Sequence, residues 1–268
     1  MNKPRPWLYW AVLSVLCLLG VSCCKQQQKD PFRYKVAIIG NPSNPDIRYD
    51  ESQMQALKNL GYNTLQLNIA WGARPADEPL NLEDILYVDG IGSREKADQR
   101  LQAIKERARI AKKWGFRTLF HFGAPRVDSL YKILTPDLID IATEKNSIQK
   151  KEIVDKYVSL LKRLKQEVPE LDDIEVYTFD QDAWVANEFG NGPTDRDIPL
   201  HERIPAFLQA LTGAWAEVSP DGMVWWEPWE ISAGQIYACI PSLPTRNFGM
   251  FLHSNIAERS EERRVGKE

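Results

Sequence analysis

The sequence predicts an α/β fold: a (β/α)8 barrel of the TIM type, incomplete, with about six of its eight β/α units. Three observations carry this. Short apolar runs alternate with helical stretches along residues 34–257, the pattern of a parallel sheet with helical crossovers. The first strand leads into Gly40-Asn41-Pro42-Ser43, which has neither glycine-rich phosphate-binding pattern, so an open nucleotide-binding sheet loses ground. Polar and aromatic residues collect after the strands, where such a barrel builds its active site.

In chain order, Lys35 to Gly40 is a short apolar run closed by glycine, a buried-strand signal. Asp50 suits the N-cap of a helix through Met54, Leu57 and Leu60, ended by Gly61. Thr64 to Trp71 reads as a second strand. A loop rich in Pro and Asp leads to a helix from Ser93 to Trp114, ended by Gly115, and Arg117 to Gly123 forms a third strand. The stretch 129–170 is helical in character. Its last part, Ser147 to Glu167, places Ile153, Val154, Tyr157, Leu160, Leu161 and Leu164 on one face. Ile174 to Phe179 is the fourth strand, His201 to Val218 a helix, Met223 to Trp226 the fifth strand and Phe248 to His253 the sixth. Of Trp225 and Trp226, one is expected to fill the core and the other to pack under helices.

Composition narrows the partners. The 268 residues carry a net charge of −3, with 43% hydrophobic and 26% charged residues. No basic field exists for gripping phosphate backbones, so no nucleic-acid partner is expected. Lys3 and Arg5 precede an apolar run from Trp7 to Val21, the layout of a secretory signal. The run closes in Leu19-Gly20-Val21-Ser22-Cys23-Cys24 and a Gln-rich stretch. This resembles the lipobox of bacterial lipoproteins, which implies a signal peptide over 1–22, lipidation at Cys23, a tether over 23–33 and attachment to the cell-envelope membrane. An uncleaved anchor helix is the alternative. Cys239 is the one cysteine outside this region, so no internal disulfide is expected in the barrel. Residues 258–268 abruptly lose aromatic character and resemble translated sequencing-adapter sequence, which implies a non-native tail on a truncated barrel over 34–257. An ordinary charged terminal helix is the other reading.

Two acidic-aromatic runs hold the candidate chemistry. Asp180, Asp182, Trp184, Asn187 and Glu188 follow the fourth strand, and Glu227, Trp229 and Glu230 follow the fifth. Carboxylates beside indole faces suit a site that stacks a sugar ring and protonates its leaving oxygen. Asp180 and Asp182, two apart on an extended segment, share a side. Two close carboxylates raise one pKa, as acid catalysis requires; a helix cap or an ordered loop would use the same residues. Glu227 and Glu230 flank Trp229, so each could hydrogen-bond sugar hydroxyls. Asn68 and Trp71 end the second strand, His121 the third, and His253 the sixth. The two histidines read either as barrel-interior residues or as site groups. No cofactor is expected, and no spacing supports a metal site from His121, Asp182 and His253.

The Asn187-Glu188 pair after strand four is similar to the Asn-Glu at the same strand of retaining glycoside hydrolases of the clan A barrel type. Leu67-Asn68-Ile69-Ala70-Trp71 resembles the second strand end of barrel β-glycosidases, and Asp180-Gln181-Asp182 the Asp-x-Asp of substrate-assisted chitinase-like barrels. The first resemblance implies that Glu188 is the acid/base, that Asn187 contacts the sugar 2-hydroxyl and that a nucleophile follows strand seven. The expectation is therefore a glycosidase acting on an oligo- or polysaccharide. Glu188, Asp180 and Asp182 would be catalytic, and Asn68, Trp71, His121, Trp184, Asn187, Glu227, Trp229, Glu230 and His253 would bind substrate. A non-catalytic glycan-binding lipoprotein and a metal-dependent hydrolase are the alternatives.

Overall fold

Side-chain alternation along each strand gives this protein one apolar face and one polar face. The computed structural model describes residues 32–39, 48–69, 77–126, 147–178, 198–228 and 231–252. Cys23, the stretch 129–146 and the tail from residue 258 lie outside them. The chain divides into Met1–Lys35 and Val36–Glu268, and the second unit carries all the described strands and helices.

The strands are β1 (Val36–Ile38), β2 (Thr64–Gln66), β3 (Arg117–Gly123), β4 (Asp173–Tyr177), β5 (Val224–Glu227) and β6 (Phe248–Met250). They form one six-stranded sheet in sequential order, every pair parallel. The helices are α1 (Glu51–Asn59), α2 (Arg94–Lys113), α3 (Lys151–Glu167), α4 (Leu200–Val218) and α5 (Ala233–Cys239). Consecutive strands that pair in parallel through helical crossovers are the repeating units of a TIM-type barrel. The described residues supply six of its eight strands.

Local chemistry explains most helix ends. The Asp50 carboxylate accepts the Gln53 N–H at 2.8 Å and caps α1. The turns after α1 and α2 use Gly61 at φ 82° and Gly115 at φ 71°, backbone conformations that cost a side-chain-bearing residue strain. Ser232 and Gln235 cap α5 reciprocally. α3 begins at Lys151 rather than Ser147. Ser147 instead accepts the Gln149 N–H in the turn before it.

Every second strand residue faces the helices. Leu65, Leu67, Phe120, Phe122, Ile174, Val176, Val224 and Trp226 join Met54, Leu101, Ile104, Tyr157, Leu161, Leu164, Phe207, Leu211 and Trp215 in one core. Trp226 is thus the core-filling indole. Trp225 is half-buried on the opposite face, over Gly249 of β6 and beside Phe251 at 5.0 Å. A Cβ on Gly249 would stand 2.3 Å from the indole, so glycine is needed for this approach. At the N-terminal end, Arg117 grips Asp173 through two hydrogen bonds of 3.0 and 2.6 Å, and Asp173 also accepts the Met223 N–H. This links β3, β4 and the start of β5.

The strands differ in extent from the sequence expectation. β2 stops at Gln66 instead of Trp71, because Asn68 takes over its pairing with a side chain. The Asn68 amide donates to the His121 carbonyl at 2.8 Å and to the Pro79 carbonyl at 3.0 Å, and accepts the His121 N–H at 3.0 Å. It replaces a peptide group beside β3. β4 ends at Tyr177, β5 runs on to include Glu227, and β6 ends at Met250. His121 lies inside β3 and not at its end.

Truncation of this amide is expected to be costly. Asn68→Ala leaves the buried N–H and C=O of His121 without their partner, a loss of about 2–4 kcal/mol. Thermal unfolding checks it; a variant as stable as the parent would show that the amide is dispensable.

Candidate functional site

On the polar face, β2 contributes Gln66, β3 His121, β4 Glu175 and Tyr177, and β5 Glu227. All five are buried. The register sets His121 beside Glu175 and Tyr177 beside Glu227. His121 Nε2 lies 2.7 Å from Glu227 Oε2, with both side chains almost wholly enclosed. The Tyr177 ring meets the imidazole edge-on, centroids 5.2 Å apart. Gln66 Nε2 approaches His121 Nδ1 at 3.5 Å, too long for a firm hydrogen bond, and donates instead to the Asn68 carbonyl at 2.8 Å. The Glu227 carbonyl accepts from the N–H and hydroxyl of Thr178, fixing the strand end that bears the carboxylate.

Burial pushes the Glu175 carboxyl up to about 8, with the Glu227 charge adding to the shift and His121 opposing it. Burial works against a charged imidazole at His121, yet the carboxylates of Glu175 and Glu227 outweigh it and raise its pKa. Burial and the facing charges thus shift both Glu175 and His121 toward their protonated forms.

Among the described residues, these three are the one group of His, Cys, Asp or Glu close enough to share a metal ion, their ligand atoms lying within 4.8 Å of one another. The His121–Glu227 contact of 2.7 Å is tighter than two ligands of one tetrahedral ion, which stand about 3.4 Å apart at bond lengths of about 2.1 Å.

A second buried network anchors the chain leaving β3. Tyr157 of α3 donates to Glu83 at 2.8 Å and accepts the Arg126 N–H at 2.7 Å, while Lys156 contacts Glu83 at 2.5 Å. Burial and the Glu83 carboxylate raise the Tyr157 hydroxyl well above its ordinary range. Arg126 also pairs with Asp84 at 2.7 Å. Burial alone would raise Asp84, but the N–H groups of Asn81 and Leu80 and the Arg126 guanidinium hold it below its ordinary value.

Of the residues expected at the site, the structure brings His121 and Glu227 into direct contact and sets Asn68 against the His121 backbone. Asp180, Asp182, Trp184, Asn187 and Glu188 lie outside the described residues, as do Trp71, Trp229, Glu230 and His253. In the chain, the first five follow Thr178 at the end of β4. Glu175, Tyr177 and Gln66 were not among the expected site residues. The signal for Glu175 was present: a charged residue amid Ile174, Val176 and Tyr177, in a strand of a sheet that buries both faces.

The proton balance predicts a pH signature. Folded Glu175 keeps its proton to about 8, whereas the unfolded chain releases it near 4.5. Between those limits the folded form binds more protons, so this contribution to stability is full below about 4.5 and lost as pH rises through about 8. His121, also raised, acts in the same direction above its ordinary 6.5. Glu175→Gln should flatten the fall in Tm over this window by more than about 3 °C. Parallel Tm–pH curves for parent and variant would contradict the assignment.

No family model and no curated protein matches the sequence. Solved structures do match. An O-GlcNAc hydrolase from Thermobaculum terrenum, in a point-mutant form, aligns with a TM-score of 0.51 at 16% identity, over 84% of this chain and 42% of that one. Endo-glycoceramidase II from Rhodococcus sp. aligns at 0.43 and 11% identity, over 72% and 48%. The β-glycosidase BGL167 aligns at 0.40 and 11% identity, over 72% and 54%. The chain thus spans about half the length of these structures, or somewhat less. These structural neighbours are glycoside hydrolases by name, and the first alignment establishes the fold: the described β/α units are those of a TIM-type barrel.

Proposed function

We propose that the protein hydrolyses glycosidic bonds in an oligo- or polysaccharide by carboxylate acid/base chemistry at the C-terminal face of the barrel. The observation that carries this reading is the buried His121–Glu175–Glu227 cluster. Three adjacent parallel strands deliver ionisable groups to one dry space on the polar face of the sheet, where water exclusion strengthens charge–charge interactions. The fold is one whose active sites are built at the C-terminal ends of the strands, and the named neighbours act on glycosidic substrates.

In this reading Glu188 is the proton donor, with Asp180 and Asp182 tuning or sharing that role. Asn187, Trp71, Trp184, Trp229, Glu230 and His253 hold the glycan, aromatic faces stacking on sugar rings and polar groups bonding hydroxyls. Glu227, ending β5, faces the substrate from below. Asn68 serves the site by fixing the backbone of His121. No cofactor takes part.

A panel of 4-nitrophenyl glycosides and defined oligosaccharides tests the proposal. Glu188→Gln should lower kcat by about 10²–10⁴-fold while leaving glycan affinity largely intact. Full turnover in that variant removes Glu188 from the acid role. Glycan binding by the parent with no hydrolysis favours a binding module, and activity abolished by a chelator favours a metal-dependent hydrolase.

A further inference from the structure

Glu175 is outside the expected catalytic carboxylates and His121 is expected only to bind substrate, yet both are buried in the middle of the sheet. Both lie below Glu227 with respect to the C-terminal strand ends: the register pairs Glu227 with Tyr177, and Glu175 sits two residues before Tyr177. We propose that His121 and Glu175 form a buried positioning pair that orients Glu227 where it meets substrate. The proposal deepens the glycosidase reading and rests on it for the identity of what Glu227 meets.

Four features support it. His121 is held by its backbone, through the Asn68 amide, and by its ring, against Tyr177. The ring is thereby held, and Nε2 stands 2.7 Å from Glu227 Oε2 as an ion-pair contact that lies off the line of a hydrogen bond. The Glu227 backbone is in turn tied to Thr178. A carboxylate so placed has little freedom to rotate away, which is what a reacting or ring-contacting group requires.

Charge supplies the second argument. Among the described residues, the titratable groups on this face are His121 from β3, Asp173, Glu175 and Tyr177 from β4, and Glu227 from β5; β2 presents only the neutral amides Gln66 and Asn68. Asp173 is committed to Arg117 and the Met223 N–H. One cation thus faces two carboxylates. If both were ionised, the pocket would carry a buried net charge, which is expensive in a dry interior. Keeping the extra proton on Glu175, whose carboxyl burial pushes up, leaves His121 and Glu227 as a balanced ion pair.

The pairing is tested by NMR titration of ¹³C,¹⁵N-labelled full chain. The protein has three histidines, His121, His201 and His253, so the His121 ring signals are assignable by substitution. Glu227→Gln is expected to lower the proton affinity of His121 about tenfold or more, and Glu175→Gln to lower it less. In hydrolysis of whichever 4-nitrophenyl glycoside the parent turns over, Glu175→Gln and His121→Gln should reduce kcat at least tenfold with KM within about threefold. They should also change the shape of the pH–kcat profile, which a merely misfolded fraction would not do.

A His121 titration in Glu227→Gln that superimposes on the parent overturns the proposal, whatever the activity. So does a shift of the His121 signals on adding one equivalent of Zn²⁺, which would make the trio an ion site. His121–Glu227 coupling in a parent that hydrolyses no glycoside sustains the pair and removes the glycosidase reading instead.

Discussion

Two carboxylates and one imidazole share a dry space inside the sheet, and their charges have to balance. That constraint organises the rest. Glu175, Glu227 and His121 come from neighbouring strands, so the parallel register must hold to the residue for Nε2 and Oε2 to meet at 2.7 Å. A slip of one residue would turn all three toward the apolar core. The ties that fix the register therefore matter to the chemistry as well as to stability. Arg117 and Asp173 lock the lower ends of β3, β4 and β5. The Asn68 amide locks β3 at the level of His121.

The two faces of the sheet divide the labour. Toward the helices, Leu65, Phe120, Phe122, Ile174, Val176 and Trp226 bury apolar area, which supplies the driving force for folding. Toward the barrel interior, the same strands spend that stability on polar groups that would be expensive anywhere else. Further out, charged pairs pin the connections. Arg107 of α2 holds Glu78 and the Leu67 carbonyl beyond β2. Glu83, Tyr157 and Arg126 hold the chain beyond β3.

Much of the scaffold was legible in the sequence. Asp50, Gly61 and Gly115 mark helix ends because their local chemistry acts within one turn, and apolar runs mark strands because both faces of a parallel sheet are covered. Strand lengths were less legible. β2 looked longer than it is because Asn68 continues the pairing with its side chain, and no periodicity distinguishes a side-chain amide from a peptide. The site was half legible. His121 and Glu227 were visible as polar residues at apolar strands. Glu175 sits within an apolar strand signal that hides it, though a lone carboxyl among Ile174, Val176 and Tyr177 is informative in itself. What no single strand discloses is which residues stand opposite one another, and the His121–Glu175–Glu227 contact exists only through register.

Infrared spectroscopy at neutral pH tests the charge balance most directly. The parent should show a protonated-carboxyl C=O band that is missing from Glu175→Gln, since Glu175 retains its proton to about 8. Identical carboxyl regions in the two spectra would mean that Glu175 is ionised in the folded protein, and the balanced pair between His121 and Glu227 would then be the wrong description of the site.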